Sequence, residues 1–184
     1  MDIIPGQIED FIRQQARTQG LTISQQLDNG VRFVDFRQMK EGKGDWYSLH
    51  CLESNQLSLT YLKEIHDWLV AHPKEVVVAW MTKHGNGEAK GDDAYPGVSA
   101  SDKQAYWAQV VDLFDDLIID TDVSSPNSTS ISDLIARSHR FIPYLGDYEE
   151  FASDDLKKHA MDGSLVDNQV RPWERSESTT STKF

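Results

Sequence analysis

EVVVAWM, residues 75–81, is a continuous apolar run behind one glutamate, and it leads into the polar groups Thr82, Lys83 and His84. A strand covered on both faces reads this way, because neither set of alternating side chains meets water. Such strands belong to parallel sheets with helices packed against them. The flanks agree. Upstream, Leu59, Leu62, Ile65, Trp68 and Leu69 place one apolar stripe on a helix over 58–71, and Pro73 ends it by disfavouring helical geometry at His72. Downstream, after the polar, Gly-containing loop GNGEAKGDDAYPGVSAS, Ser101 and Gln104 read as a capping box. They open a helix whose wide apolar face carries Tyr106, Trp107, Val110, Val111, Phe114 and Leu117.

GVRFVDFR, residues 30–37, is a second strand that ends in charge. Alternation puts Val31, Phe33, Asp35 and Arg37 on one face and Arg32, Val34 and Phe36 on the other. Asp35 and Arg37 therefore finish a mainly apolar face, either as a solvated ion pair or as functional groups at a strand exit. A short helix precedes this strand, with Thr22 and Gln25 as its capping box and Gly30 as its stop. Ile4, Ile8, Phe11, Ile12 and Ala16 predict an earlier amphipathic helix over 3–16. After the loop KEGKGD, WYSLHCL reads as one short strand with Trp46, Ser48 and His50 facing one way. Towards the C-terminus, LIID suggests a short strand, SISDLIARS a helix, and RFIPYLGD a strand in which Pro143 costs a ladder hydrogen bond. From about Ser153 the periodicity is lost, and RSESTTSTKF reads as disordered.

Alternation of buried strands with amphipathic helices predicts a parallel α/β arrangement, open or closed, over residues 1–152, with an irregular segment over 153–184. In a closed parallel barrel the functional side chains sit at the C-terminal ends of the strands. Asp35, Arg37, His50 and Lys83 are all expected there. A net charge of −12 argues against a nucleic-acid partner, whose phosphates such a surface repels. Any phosphate-bearing substrate needs a locally basic pocket within an acidic shell. The single cysteine, Cys51, excludes an intrachain disulfide and leaves the compartment open. No apolar run approaches a membrane span, and MDIIPGQIEDF lacks the basic start and apolar stretch of a signal peptide. The sequon at Asn127 is too short a motif to carry weight.

Two cations, an imidazole and a carboxylate at one mouth suit a phosphodiester. The planar fork of Arg37 matches two phosphate oxygens, Lys83 adds a point charge, and His50 can protonate a leaving alkoxide. Asp35 can orient Arg37 or the substrate. The same groups can also bind a phosphate or carboxylate without chemistry, and each has a structural reading. His50 can be a hydrogen-bonded strand end, and Lys83 and His84 the solvated start of a loop. His66 falls on the polar side of its helix, while His72, His139 and His159 have no partners evident in the sequence. No close His/Asp/Glu spacing suggests a metal site.

TQGLTISQQLDNGVRFVDFR, YSLHCL and LTYLKEIHDWLVAHPKEVVVAWM together resemble the X region of the phosphatidylinositol-specific phospholipase C family. The shared pattern is a glutamine-led helix, Gln-Leu-x-x-Gly, an Asp-x-Arg strand, a nearby histidine, and a helix ending in His-Pro before Glu-Val-Val, in that order over about residues 18–83. The resemblance implies an incomplete TIM-type (β/α) barrel of the phospholipase C-like phosphodiesterases. It also implies cleavage of a phosphoinositide-like lipid through a cyclic phosphate, with transient contact at a membrane surface. Arg37 then matches the phosphate-binding arginine, Asp35 the aspartate beside it, and His50 the general acid, while Lys83 lies near a substrate-contacting lysine of bacterial members. The calcium-binding acidic residue of eukaryotic members falls near Thr82, so the resemblance implies no metal or other cofactor.

Three departures accompany this. Cys51 follows His50 where the family usually has glycine. The family's general-base histidine lies on a first strand before the opening helix, and that strand is not evident here; nor are the late barrel strands after about Asp147, whereas a full barrel takes roughly 250 residues. The expectation is therefore a partial barrel whose activity as this chain is doubtful. A non-catalytic phosphate or lipid-headgroup binding module and a ligand-free structural fragment are the alternatives. A glycerophosphodiester phosphodiesterase would show paired metal-binding glutamates, which the strand ends do not.

Overall fold

A computed structural model describes residues 20–41, 44–50, 52–86, 98–124, 126, 128–146, 148, 153–164 and 166, with the backbone alone at 50, 52, 53, 83–86 and 154. The helix expected over 3–16 lies outside the described residues. The elements are α1 (Ile23–Asp28), β1 (Phe33–Lys40), β2 (Trp46–His50), β3 (Leu52–Leu57), α2 (Ser58–Ala71), β4 (Val77–Asn86) and α3 (Ala100–Phe114). A 3₁₀ turn (Asp115–Leu117), α4 (Ile131–Ala136), β5 (Phe141–Leu145), α5 (Asp154–Lys157) and β6 (Met161–Asp162) follow. One six-stranded sheet runs in the order β3-β2-β1-β4-β5-β6. From β1 to β6 the pairing is parallel, and β2 and β3 join antiparallel beside β1. The sheet is mixed and open, with β3 and β6 at its edges.

Helix α1 forms as its capping box predicts. Thr22 Oγ1 accepts from Gln25 N at 3.2 Å while Gln25 Oε1 accepts from Thr22 N at 3.0 Å. On β4 the alternation divides the core in two. Val77, Ala79 and Met81 join Phe36, the α2 residues Leu62, Ile65 and Leu69, and the α3 residues Trp107, Val110 and Phe114 behind the sheet. Val76 and Val78 turn to the opposite face, with Ile119, Leu134, Ile142, Tyr144 and Met161. Phe114 stacks on Phe141 with centroids 3.7 Å apart. The buried Arg140 donates to Leu69 O at 2.6 Å and His72 O at 3.1 Å, satisfying carbonyls at the C-terminal end of α2.

Several expectations change. β1 does not stop at Arg37; its pairing with β4 continues to Lys40 through an irregularity, with Met39 opposite Gly85 and Lys40 opposite Asn86. Of the two faces of β1, the one read as mainly apolar leaves Phe33 42% exposed, while Phe36 on the other face is buried. WYSLHCL is no single strand, because the chain reverses between His50 and Leu52, which are paired across a hairpin. The cap of α3 is Ser99, whose hydroxyl accepts from Asp102 N, in place of the Ser101 and Gln104 box. LIID supplies the end of the 3₁₀ turn and one parallel bridge, Ile118 to Phe141.

Pro143 is accommodated for a geometric reason. Phe141 O and Leu145 O accept from Ile119 N and Gly163 N, so alternate residues of β5 aim their polar groups away from β4. Pro143 falls between those two contacts, where its missing N–H meets no strand. Beyond residue 152, α5 and β6 form, and β6 pairs Met161 with Tyr144 and Asp162 with Leu145.

Candidate functional site

Parallel pairing sets the rows of the face that α2 and α3 leave uncovered. Phe33 lies beside Val78, and Val78 beside Ile142; one row on, Asp35, Trp80, Tyr144 and Met161 align; beyond that, Arg37 lies beside Thr82. Paired residues of adjacent strands share a face, so apolar rows give way to polar ones along the strand direction. β5 ends at Leu145, opposite Met81, and Gly146 N donates to Met81 O. Arg37 and Thr82 thus lie just past the end of β5, while β1 and β4 continue.

Asp35 and Arg37 are two residues apart on this face, and their side chains meet. Arg37 Nη2 donates to Asp35 Oδ2 at 2.8 Å, and Arg37 Nε approaches Oδ2 at 3.2 Å and Oδ1 at 3.4 Å. The two side chains are 35% and 33% exposed, so the pair is neither free in solvent nor sealed in the core. A guanidinium carries five N–H groups in a planar fork that suits carboxylate and phosphate oxygens alike. Beside the pair, Trp80 and Thr82 are buried, and burial pushes the Tyr144 phenol above its ordinary value.

His50 closes β2 and Lys83 lies within β4, and neither side chain is among those described. Between the Arg37–Thr82 and Met39–Gly85 pairs, β4 advances one residue more than β1. This irregularity falls on Lys83 and His84. Asp35 and Arg37 are therefore brought together as expected, but in mid-strand.

Three of the other histidines, His66, His72 and His159, have partners or packing that the sequence did not show. His72 Nδ1 lies 2.7 Å from Trp68 O and its ring stacks on Trp68, which also lies under the Arg32 guanidinium. His159 Nδ1 lies 3.1 Å from Ile119 O. His66 is not simply on a polar face: it pairs with Asp67 at 3.0 Å and packs edge-on against Phe114. Burial lowers the pKa of His139. Among the described residues no group of three or more His, Cys, Asp and Glu is arranged to hold a metal ion. Thr82 and Tyr144 share the face of Asp35 and Arg37, and the sequence signal for Thr82 is parity, since Val78, Trp80 and Thr82 alternate on the strand that β1 pairs with.

A family profile described as PI-PLC X 1 matches residues 10–138, which include α1 through α4 and Asp35, Arg37, His50, Thr82 and Lys83. The chain belongs to the PI-PLC X domain family. Among curated relatives, the human PI-PLC X domain-containing protein 1 is 41% identical over 64 residues, covering 33% of this chain and 20% of the relative. The mouse protein of the same name is 34% identical over 79 residues, covering 41% of this chain and 23% of the relative. The matches thus span about a fifth of the curated relatives' length. A solved phosphatidylinositol-specific phospholipase C from Staphylococcus aureus superposes with a TM-score of 0.53 at 18% identity, covering 74% of this chain and 43% of that chain. At that identity the likeness concerns the fold alone. It places the PI-PLC X domain's open sheet beside the architecture of the bacterial enzyme.

Proposed function

We propose that this PI-PLC X domain contributes a phosphodiester-cleaving site of phosphatidylinositol-specific phospholipase C type, on a sheet that is one arc of a TIM-type barrel. The observation that carries this reading is the Asp35–Arg37 pair, set on the face turned away from α2 and α3, just where β5 ends. Arg37 takes two non-bridging phosphate oxygens through its planar fork, and Asp35 fixes the direction of that fork. The inositol 2-hydroxyl attacks phosphorus, the bond to the diacylglycerol oxygen breaks, and His50 gives that leaving oxygen its proton, leaving a cyclic phosphate. Lys83 adds positive charge near the substrate. The base that accepts the 2-hydroxyl proton is not one of these four residues.

The net charge of −12 favours a short stay at an anionic lipid surface, so contact with the membrane is proposed to be transient. The test is hydrolysis of a phosphatidylinositol substrate, with and without EDTA, by the whole polypeptide of the reading frame and by its His50→Ala variant. Metal-independent cleavage that His50→Ala abolishes supports the phosphodiesterase. Absence of turnover with Arg37-dependent binding of an inositol phosphate makes the domain a headgroup-binding module.

A further inference from the structure

Thr82 is 7% exposed, and its hydroxyl oxygen has no hydrogen-bond partner among the described residues. A buried hydroxyl without a partner is a cost to the fold that an isosteric valine would avoid. The strand gains nothing structural from it. The methyl side of Thr82 already has a packing role: a Cβ on Gly146 would come within 3.1 Å of Thr82 Cγ2, so the glycine makes room for the methyl. The position is also marked by register, since Thr82 is the direct partner of Arg37 and is the last β4 residue before the irregularity at Lys83 and His84. Adjacent strands lie ~4.8 Å apart, so a phosphate spanning the two side chains needs no movement of the sheet.

We propose that the Thr82 hydroxyl is a ligand-binding group that donates to a phosphate oxygen of the ligand held by Arg37. This deepens the phosphodiester reading and rests on it. In the structure Arg37 is folded onto Asp35 and Thr82 is covered, so ligand entry must shift the side chains of this row. A neutral donor beside the arginine holds the phosphate in place without adding charge. Its loss removes one hydrogen bond to a charged group, worth a factor of about ten or more in affinity.

The test compares the whole polypeptide with Thr82→Val and Thr82→Ser by calorimetric titration of an inositol monophosphate and by thermal unfolding. The expected result is about tenfold weaker binding for Thr82→Val, binding restored in Thr82→Ser, and a Thr82→Val melting temperature equal to or above that of the unsubstituted protein. Equal affinity in Thr82→Val overturns the inference while leaving the phosphodiester site standing. A lower melting temperature for Thr82→Val also overturns it, because the hydroxyl then has a structural partner. Absence of binding by the unsubstituted protein overturns both the inference and the site.

Discussion

The two faces of β1, β4 and β5 are made from the same strands and are chemically unlike. Behind the sheet, Phe36, Ala79, Met81, Phe141 and Leu145 meet α2 and α3 in one apolar core. On the other face the same strands carry Asp35, Arg37, Trp80, Thr82 and Tyr144. The first face gains its stability from area removed from water. The second holds an ion pair about a third exposed, which adds little stability. The difference teaches that fold and chemistry can be perturbed separately here, by choosing odd or even positions along one strand.

The largest effect should come from behind the sheet. Phe114 has no exposed surface and stacks on Phe141, so Phe114→Ala should cost about 3–5 kcal/mol of stability, read as a lower denaturant midpoint with an unchanged slope. Arg37→Ala should do the converse. Turnover of a phosphatidylinositol substrate should fall by about 10²–10³-fold, while stability changes by less than about 1 kcal/mol. If Arg37→Ala also unfolds the protein, the separation of the faces is broken. A smaller effect belongs to the cap of α3: Ser99→Ala should cost about 1 kcal/mol by removing the acceptor for Asp102 N.

The smallest effect depends on pH. The hydrogen bond from Lys40 holds the Asp102 carboxyl below its ordinary value of 3.8, with Ser99 assisting. A carboxyl depressed in the folded state contributes stability that is present above the unfolded value and lost as pH falls through the folded one. Lys40→Met should therefore lower the melting temperature slightly at neutral pH and not at all once Asp102 is protonated in both states. A difference that persists in acid would assign the effect to packing of the lysine stem.

How much of this the sequence shows follows the same division. α2, α3 and β4 were legible because their burial is written in periodicity: Leu62, Ile65 and Leu69 on one stripe, and an unbroken apolar run at 76–81. β3 was not legible, since LESNQL is polar between its terminal leucines, as suits an edge strand, and alternation does not announce the reversal after His50. The Asp35–Arg37 pairing was legible from parity alone. Its height in the sheet was not, because where a strand ends is set by its neighbours: past Arg37, β1 continues beside β2 from Gln38 and beside β4 from Met39. Thr82 was hidden as the polar tail of an apolar run, and only the register with β1 shows which residue it faces. Whether the sheet closes depends on strands that do not pair locally, which no short pattern encodes.

The most direct test of the two-face account is the rate of phosphatidylinositol cleavage by the whole polypeptide and its Arg37→Ala variant, measured at equal folded concentration. The account predicts cleavage by the former and a loss of at least about a hundredfold in the latter, with both unfolding at nearly the same denaturant concentration. Cleavage by Arg37→Ala at the rate of the unsubstituted protein would contradict it.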